Sequence, residues 1–185
     1  MKKLTYFILL LSLASQCIMA NCQDSISVSQ DKLTIAKLYY DSAFLCLSNK
    51  DYYSAMPKLI KTAALVENLP EDMTDEEIHL TSRAYYQMAY VFQKMIMTSY
   101  AVETALRASQ YQDMRQDTAW MLFTKIRLAE YYQVTKNKDS VDYYLKQVIP
   151  LSDSVKYTYE YNIALRLAAR NYYDGGSVDM RDAGV

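Results

Sequence analysis

Small side chains recur along the chain at a fixed spacing. In each of three segments, three of them are separated by 12 and then by 7 residues. The nine positions are Ala43, Ala55 and Thr62, then Ala89, Ala101 and Ala108, then Ala129, Val141 and Val148. Larger residues flank the first member of each triplet at fixed distances. Four positions before it stand Tyr39, Tyr85 and Lys125, and three positions after it stand Cys46, Phe92 and Tyr132. Self-similarity with a period of about 20 to 50 residues is typical of helical-repeat proteins.

This spacing indicates pairs of antiparallel helices. Two helices pack closely only where small side chains let their backbones approach, and neighbouring aromatic residues fill the remaining space. We expect the first member of each triplet on the first helix of a hairpin and the other two on the second. The polar segments Asn49-Lys50-Asp51 and Asn137-Lys138-Asp139 are the predicted turns between two such helices.

Two further signals predict where helices begin. Thr74 is followed three residues later by Glu77, a capping box that starts a new helix. Pro57 lies close to the start of a second helix, so this helix is expected to begin near Ser54. The first members of the triplets stand at positions 43, 89 and 129, so the first unit is longer than the second. The segment 69–81 accounts for much of this excess.

The end of the sequence predicts an incomplete fourth unit. Residues 162–173 are in phase with the earlier first helices, with Leu165, Ala169 and Tyr172 at the matching positions. A Gly-Gly pair and a short polar stretch, 177–185, follow in place of an apolar second helix. Because a solenoid normally closes with a polar capping helix, we expect either a truncated or altered C-terminus or a last helix that packs on something else.

Composition narrows the fold class and the range of functions. With 51% hydrophobic and 22% charged residues, the 185-residue chain has the composition of a globular protein and not of a disordered one. Three glycines and three prolines are too few for the turns of an all-β domain, so an all-α fold is expected. The formal net charge of -1 lacks the basic excess that is typical of nucleic-acid-binding domains.

The repeated residues resemble the tetratricopeptide repeat (TPR) family. They are Tyr39, Ala43, Asp51, Tyr52, Ala55 and Leu59; Tyr85, Ala89, Phe92, Ala101 and Ala108; and Leu128, Ala129, Tyr132, Val141, Leu145 and Val148. The resemblance implies an all-α, right-handed superhelical array of antiparallel helix hairpins, a TPR-like α-solenoid of about three and a half repeats over residues 31–174. Every unit is longer than the usual repeat of this family, which has about 34 residues. The helix ends are therefore less well defined by the resemblance.

The same resemblance implies a ligand groove, because this family binds ligands along the first helix of each hairpin. The matching positions are Lys37, Tyr40 and Phe44; Arg83, Tyr86, Tyr90 and Lys94; Ile126 and Glu130; and Arg166 and Arg170. Basic residues outnumber acidic ones in this set, which suits an extended peptide with carboxylates.

Tyrosine is over-represented, at 19 residues, and a structural role explains most of them equally well. Twelve form the doublets Tyr39-Tyr40, Tyr52-Tyr53, Tyr85-Tyr86, Tyr131-Tyr132, Tyr143-Tyr144 and Tyr172-Tyr173. Adjacent helical residues point about 100° apart. One ring of each doublet can therefore enter the core while the other covers its rim with the hydroxyl in water.

The N-terminus predicts export. Lys2 and Lys3 precede an apolar run over residues 4–13, and a small residue, Ala20, ends the segment, so residues 1–20 are expected to be a signal peptide and 21–30 a flexible tail. The alternative is an uncleaved anchor, although the run is shorter than the roughly 20 residues of a membrane span. Lipidation of Cys17 or Cys22, or a disulfide between Cys22 and Cys46, stays open.

The sequence offers little material for catalysis. The single histidine, His79, is expected to be a surface or packing residue. The acidic run at positions 71–77 could be imagined as a cation site, but acidic residues at a helix N-terminus are explained by the helix dipole. We therefore expect neither an enzyme nor a cofactor or metal.

These features predict an exported, non-catalytic TPR-type module in the periplasm or cell envelope. Its partner is expected to be a protein or peptide and not a nucleic acid, with membrane contact only through the N-terminal signal or lipidation. It is expected to be the sensing part of an envelope signalling protein. The alternative is a helical-repeat lipoprotein of carbohydrate uptake.

Overall fold

The computed structural model describes residues 31–67, 72–115, 118–152 and 157–173. Within these ranges the chain forms seven α-helices and no strand, which confirms the all-α prediction. They are α1 (31–48), α2 (Tyr52–Val66), α3 (Asp75–Lys94), α4 (Thr98–Arg115), α5 (Thr118–Val134), α6 (Lys138–Ser152) and α7 (Thr158–Tyr173). The expected signal peptide 1–20, the N-terminal tail 21–30 and the C-terminal tail 175–185 lie outside the described residues.

Helices that follow one another in the chain pack side by side. Each helix from α2 to α7 contacts the next, and α5 also contacts α7. The first hydrophobic cluster joins α1 to α2, α3 and α4, and a second holds α5, α6 and α7 together. A third, smaller cluster connects these two halves through Ala89, Ala101, Ala105, Leu128 and Tyr131.

The small residues of the three triplets are the contact points between helices. All nine are buried, with exposed fractions of 0 to 1%. Thr62 is tolerated at such a position because its hydroxyl donates hydrogen bonds to the carbonyl oxygens of Lys58 in its own helix and of Ala36 in α1. The spacing therefore identified the packing faces of α1 to α6 correctly.

The three hairpin turns repeat the same backbone geometry. Lys50, Ile96 and Lys136 each have a positive φ, of 60°, 61° and 58°. Their spacing in the chain is the same as that between the first small residues of the three triplets. At each turn the amide of this residue donates to the carbonyl three residues before it, and the next amide donates to the carbonyl five residues before it. This pair of bonds is a Schellman motif, which ends a helix with one left-handed residue.

The third turn lies two residues earlier than the polar segment Asn137-Lys138-Asp139 predicts. Lys136 is the left-handed residue, while Lys138 and Asp139 already belong to α6. Asn137 corresponds to Asp51, and each caps the following helix by accepting a hydrogen bond from the amide of Ser140 or Ser54. Polar composition located the turn only approximately because the cap residue and the first helical residues are polar as well.

Two other boundaries also differ from the predictions. α2 begins at Tyr52 instead of near Ser54, so Pro57 lies inside the helix. In α7 the buried small residue is Ala168, not Ala169, since Ala164 and Ala168 together face α5 and α6. The fourth unit therefore begins one position earlier than the repeat predicts.

The capping box at the start of α3 is confirmed. The Thr74 hydroxyl accepts a hydrogen bond from the Glu77 amide, and the Glu77 carboxylate accepts one from the Thr74 amide. Asp75 and Glu76 complete an acidic first turn, which the helix dipole favours. This cap fixes where α3 begins, and α3 contributes the largest number of side chains to the site described below.

We predict that Ile96→Gly stabilises the protein. Ile96 is β-branched, adopts a left-handed conformation and is 89% exposed, so the substitution removes backbone strain and loses almost no packing. The free energy of unfolding, measured by denaturant titration, should rise by about 1 kcal/mol.

The matched control is Ile60→Gly, since Ile60 is 52% exposed but lies within α2. Glycine inside a helix costs about 1 kcal/mol, so this variant should be destabilised. A loss of stability in both variants would contradict the left-handed assignment of Ile96.

Candidate functional site

Three helices that are not consecutive meet on one side of the array. Lys37 of α1 forms a salt bridge with Glu76 of α3, with 2.6 Å between Lys37 Nζ and Glu76 Oε1. The guanidinium of Arg83 in α3 lies 5.0 Å from the ring centre of Tyr40 in α1 and 5.3 Å from that of Trp120 in α5. We call this surface of α1, α3 and α5 the groove face.

Arg83 is held between two aromatic rings. Cation–π contacts of this kind contribute about 0.5–1 kcal/mol each at exposed sites and more when the cation is shielded from water. The Nε atom of Arg83 is buried and has no hydrogen-bond partner within the part of the chain that the structure describes, and the same holds for the hydroxyl of Tyr40. A buried donor without a partner is costly, so a group that supplies an acceptor here would gain more than an ordinary surface contact.

A cavity of about 340 Å³ opens beside Arg83 and Tyr40. Lys37, Phe44 and His79 also line it, together with the acidic residues Asp41 and Glu76. The predicted excess of cations over carboxylates was counted over the whole groove set, whereas in this cavity two cations face two carboxylates. Asp41 and the acidic first turn of α3 were not among the predicted groove residues, and the packing of α1 on α3 brings them in.

Aromatic and charged side chains continue the groove face along α5. Tyr86 contacts Trp120 edge to face, with ring centres 5.4 Å apart, and Trp120 contacts Phe123 at 6.1 Å. Further along, Arg127 Nη1 donates to Glu130 Oε2 at 2.6 Å and also hydrogen-bonds to Tyr86. Burial disfavours the charged form of Arg127, but Glu130 and Tyr86 outweigh this and raise its pKa.

The structure brings together part of the predicted groove set. Lys37, Tyr40, Phe44 and Arg83 line one cavity, and Tyr86 adjoins it through Trp120. Ile126 is wrong as a groove residue, because it is only 4% exposed and belongs to the core between α5, α6 and α7.

The other predicted residues do not line this cavity. Tyr90 packs edge to face on Tyr52, and Lys94 Nζ lies 5.1 Å from the Tyr90 ring centre, near the end of α3. Glu130 is engaged with Arg127. Arg166 and Arg170 lie on α7 and do not line the cavity.

Trp120, Phe123 and Arg127 were missed, although a signal for them existed. With Glu130 they occupy positions 120, 123, 127 and 130, a spacing that places side chains on one face of a helix. The phase of Ala129 alone selects Ile126 and Glu130 on this helix. Reading the periodicity of α5 itself would have found the only tryptophan of the chain on the same face as Glu130.

The tyrosine doublets behave largely as predicted. Tyr40, Tyr85 and Tyr131 are buried, and the second tyrosine of each of these doublets is only partly buried. In two other doublets Tyr52 and Tyr144 are half-buried, while the neighbouring tyrosine is exposed. The prediction is wrong for Tyr172 and Tyr173, which are 59% and 87% exposed. Both lie in the last turn of α7, beyond the contact that Asn171 makes with α6.

On the other side of α3, Glu67 connects three helices. Its carboxylate accepts hydrogen bonds of 2.7 Å from the hydroxyls of Tyr85 and Tyr111 and of 2.6 Å from Arg107 Nη2. The two tyrosine rings stack at 6.1 Å, and the Arg107 guanidinium lies 4.9 Å from the centre of the Tyr85 ring. This cluster ties the end of α2 to α3 and α4, and none of its hydrogen bonds was predicted from the sequence.

The cluster shifts the pKa of its members in opposite directions. Burial alone would raise the pKa of the Glu67 carboxyl, but the hydrogen bonds from Tyr111, Tyr85 and Arg107 outweigh it and lower the pKa below its ordinary 4.5. Burial and the adjacent carboxylate raise the pKa of Tyr111 to about 12 and also raise that of Tyr85. Glu67 is thus ionised and both tyrosines are protonated at neutral pH.

The described residues were also compared with the requirements of a metal site and of a membrane span. Among 31–67, 72–115, 118–152 and 157–173, no group of three or more His, Cys, Asp or Glu side chains is arranged to hold a metal ion. None of the helices described above has the length and hydropathy of a membrane span. Cys46 has no disulfide partner among the described residues, which do not include Cys22, and it packs half-buried against the first hydrophobic cluster.

Comparisons with known proteins add little to this description. No family model matches the chain, and no curated protein is similar to it. Among solved structures, a chain of the "DHF79 filament" is 14% identical, and the alignment covers 87% of this chain and 96% of that chain with a TM-score of 0.32. A likeness at this TM-score supports no conclusion about fold or function.

We predict that Glu67→Gln lowers the free energy of unfolding by about 1–2 kcal/mol at neutral pH, because hydrogen bonds to a charged acceptor are replaced by weaker ones. The lowered pKa of Glu67 means that its carboxylate stabilises the folded state above pH 4.5 and that this contribution is lost as the pH falls through the folded-state value. The difference between the wild type and the variant should therefore narrow below pH 4.5.

Denaturant unfolding curves at several pH values measure both effects. Glu103→Gln is the control, because Glu103 is exposed on α4 and its removal should change stability little. A Glu67→Gln variant as stable as the wild type at neutral pH would show that the network contributes nothing.

Proposed function

We propose that this protein is a non-catalytic module that binds a protein or peptide, built as a TPR-like superhelical array. The proposal is supported by hairpin turns with one backbone geometry, which recur at the spacing of the buried small residues. It is also supported by contacts between the odd-numbered helices, which run from α1 to α3 and from α3 to α5 on the groove face and from α5 to α7.

Arg83 is the observation that carries the proposal. Its guanidinium is fixed by Tyr40 and Trp120, so the charge is already oriented before a ligand arrives and less side-chain entropy is lost on binding. A guanidinium has only donors, and none of the described residues supplies an acceptor to the Nε of Arg83. A ligand carboxylate or carbonyl oxygen would supply one.

An extended peptide fits the arrangement of the groove face better than a compact small molecule does. The cavity has room for a polar group of the ligand near Lys37 and Arg83, and Phe44, which also lines it, is 50% exposed. Next to the cavity lie the rings of Tyr86, Trp120 and Phe123. They provide contact area for apolar side chains further along the same peptide. Because Asp41 and Glu76 also line the cavity, the ligand should carry a donor close to its acceptor, as a peptide backbone does.

The site of action is part of the same proposal. The N-terminal features predict export, and we propose that the groove face binds its ligand in the periplasm or at the cell envelope, as the sensing part of a signalling protein. This part rests on residues 1–20 of the sequence, which lie outside the described structure.

The proposal predicts that Arg83→Glu weakens ligand binding tenfold or more, since losing a hydrogen bond from a charged donor costs about 1.5–3 kcal/mol. Lys94→Glu should have a smaller effect, because Lys94 lies three turns further along α3, about 16 Å away. Quantitative pull-down of envelope proteins and peptides with the immobilised chain compares the variants.

Lys146→Glu is the matched control, because Lys146 is exposed on α6 away from the groove face. Trp120 is the single tryptophan and touches both Arg83 and Tyr86, so its fluorescence reports binding of any captured peptide at this site. Retention of the same partners by Arg83→Glu, with unchanged Trp120 emission on binding, would reject the groove face as the ligand site.

A further inference from the structure

The three hairpin turns lie at one end of the molecule. Each short turn makes its two helices antiparallel, and contacts connect neighbouring hairpins near their turns. Tyr52 at the start of α2 contacts Tyr90 near the end of α3, with ring centres 6.2 Å apart. Leu128 and Tyr131 of α5 pack with Ala89 and Ala101 on either side of the second turn.

The last turn of α7 reaches the same end of the molecule. Asn171 Nδ2 donates to the carbonyl oxygen of Lys138, 3.4 Å away, and to the carboxylate of Asp142. We call residues 48–51, 94–98, 134–139 and 171–173 together the turn face.

The turn face combines positive charge with isolated exposed apolar side chains. It carries four lysines, Lys50, Lys94, Lys136 and Lys138, and only two carboxylates, those of Asp51 and Asp139. In the whole chain, by contrast, 20 basic residues are balanced by 21 acidic ones. Its most exposed apolar and aromatic side chains are Ile96 at 89%, Val134 at 67% and Tyr173 at 87%. None of these residues belongs to the proposed ligand cavity.

A cavity of about 290 Å³ lies within the turn face, between the third turn and α7. It is lined by Lys136, Lys138, Gln133, Val141 and Asn171. The side-chain nitrogen of Gln133 is buried and has no hydrogen-bond partner among residues 31–67, 72–115, 118–152 and 157–173. Since a water molecule occupies about 30 Å³, the cavity has room for a phosphate-sized anion. Two ammonium groups and a free amide donor favour an anion, although the buried Asp142 carboxylate behind Asn171 opposes it.

The middle turn is chemically different from the other two. Lysine occupies the left-handed position in the first and third turns, and isoleucine occupies it in the second. A β-branched residue in this conformation is strained, and Ile96 gains nothing in return from packing because its side chain projects into solvent. Such a residue is explained if its side chain is buried by something outside the chain.

We propose that the turn face binds the surface of an anionic phospholipid bilayer, with Ile96, Val134 and Tyr173 entering the interface and the cavity beside Lys136 and Lys138 receiving a lipid phosphate. Lysines near an anionic bilayer contribute about 1 kcal/mol each, and tyrosine is enriched at the level of the headgroups. The apolar side chains stand apart instead of forming one continuous patch. A fluid bilayer accommodates separate insertions, whereas a protein partner would need a matching surface.

This binding is distinct from the membrane contact expected of the N-terminal segment, and it does not depend on the groove face. It would hold the array with its turns toward the lipid and leave the side formed by α1, α3 and α5 accessible.

The test is co-sedimentation of the full chain with phosphatidylcholine vesicles that contain or lack phosphatidylglycerol. The Lys136→Glu/Lys138→Glu variant should bind the anionic vesicles at least roughly tenfold more weakly than the wild type. Lys32→Glu/Lys146→Glu changes the net charge equally at exposed positions outside the turn face and should bind like the wild type. Ile96→Gly should bind more weakly while remaining folded by circular dichroism.

Equal binding by the wild type and Lys136→Glu/Lys138→Glu would overturn the proposal, because the N-terminal apolar segment would then account for the membrane contact. Equal binding of the wild type to vesicles with and without phosphatidylglycerol would overturn the proposal too, and so would no binding at all. Either result would favour a protein as the partner of the turn face. Inorganic phosphate at the same ionic strength should compete only weakly. Strong competition would indicate a site for free phosphate instead of a lipid surface.

Discussion

Paired helices approach each other closely at small side chains, and the arrangement of the other residues follows from this contact. Ala43, Ala89 and Ala129 lie against the second helix of their hairpins, and each is almost completely buried. A larger side chain there would separate the backbones and open space that the neighbouring tyrosines could not fill. The hairpin therefore sets the positions of the aromatic residues, and the left-handed residue in each turn fixes how the second helix returns.

α3 connects the parts of the molecule because its opposite sides make different contacts. Tyr85 bonds to Glu67 on the side of α2 and α4, while the adjacent Tyr86 contacts Trp120 on the groove face. The two rings point about 100° apart on the helix. The Glu67 network thus holds the helix that carries Arg83 without itself taking part in the groove.

Some buried polar groups are paired and others are not. Those around Glu67 are paired and stabilise the fold. Thr81, Gln112 and Thr124 have buried atoms without a hydrogen-bond partner among the described residues, and they line neither cavity. Arg83 Nε, the Tyr40 hydroxyl and the Gln133 amide nitrogen likewise have no partner among these residues, but they lie at the walls of the two cavities. Unpaired groups reduce stability, and their position beside cavities is why we propose that each cavity has a ligand.

Local rules in the sequence already define the helical class, the packing faces and the approximate turns. Small residues at a fixed spacing mark one face of a helix, and a Thr-x-x-Glu segment marks a helix start. The same rules missed the register of the third turn and of α7 by one or two positions. Polar residues at a helix start resemble those of a turn, and both Ala168 and Ala169 are small enough for the contact.

The packing of the helices against one another settles which side chains from different helices meet. Residues 40, 83 and 120 come together because α1, α3 and α5 pack on one side, and Glu67 meets Arg107 from a distant part of the chain. A contact between helices depends on their relative rotation and distance, which no single helix specifies. For the same reason the balance of charge in the groove cavity, with Asp41 and Glu76 beside two cations, was not evident from one helix at a time.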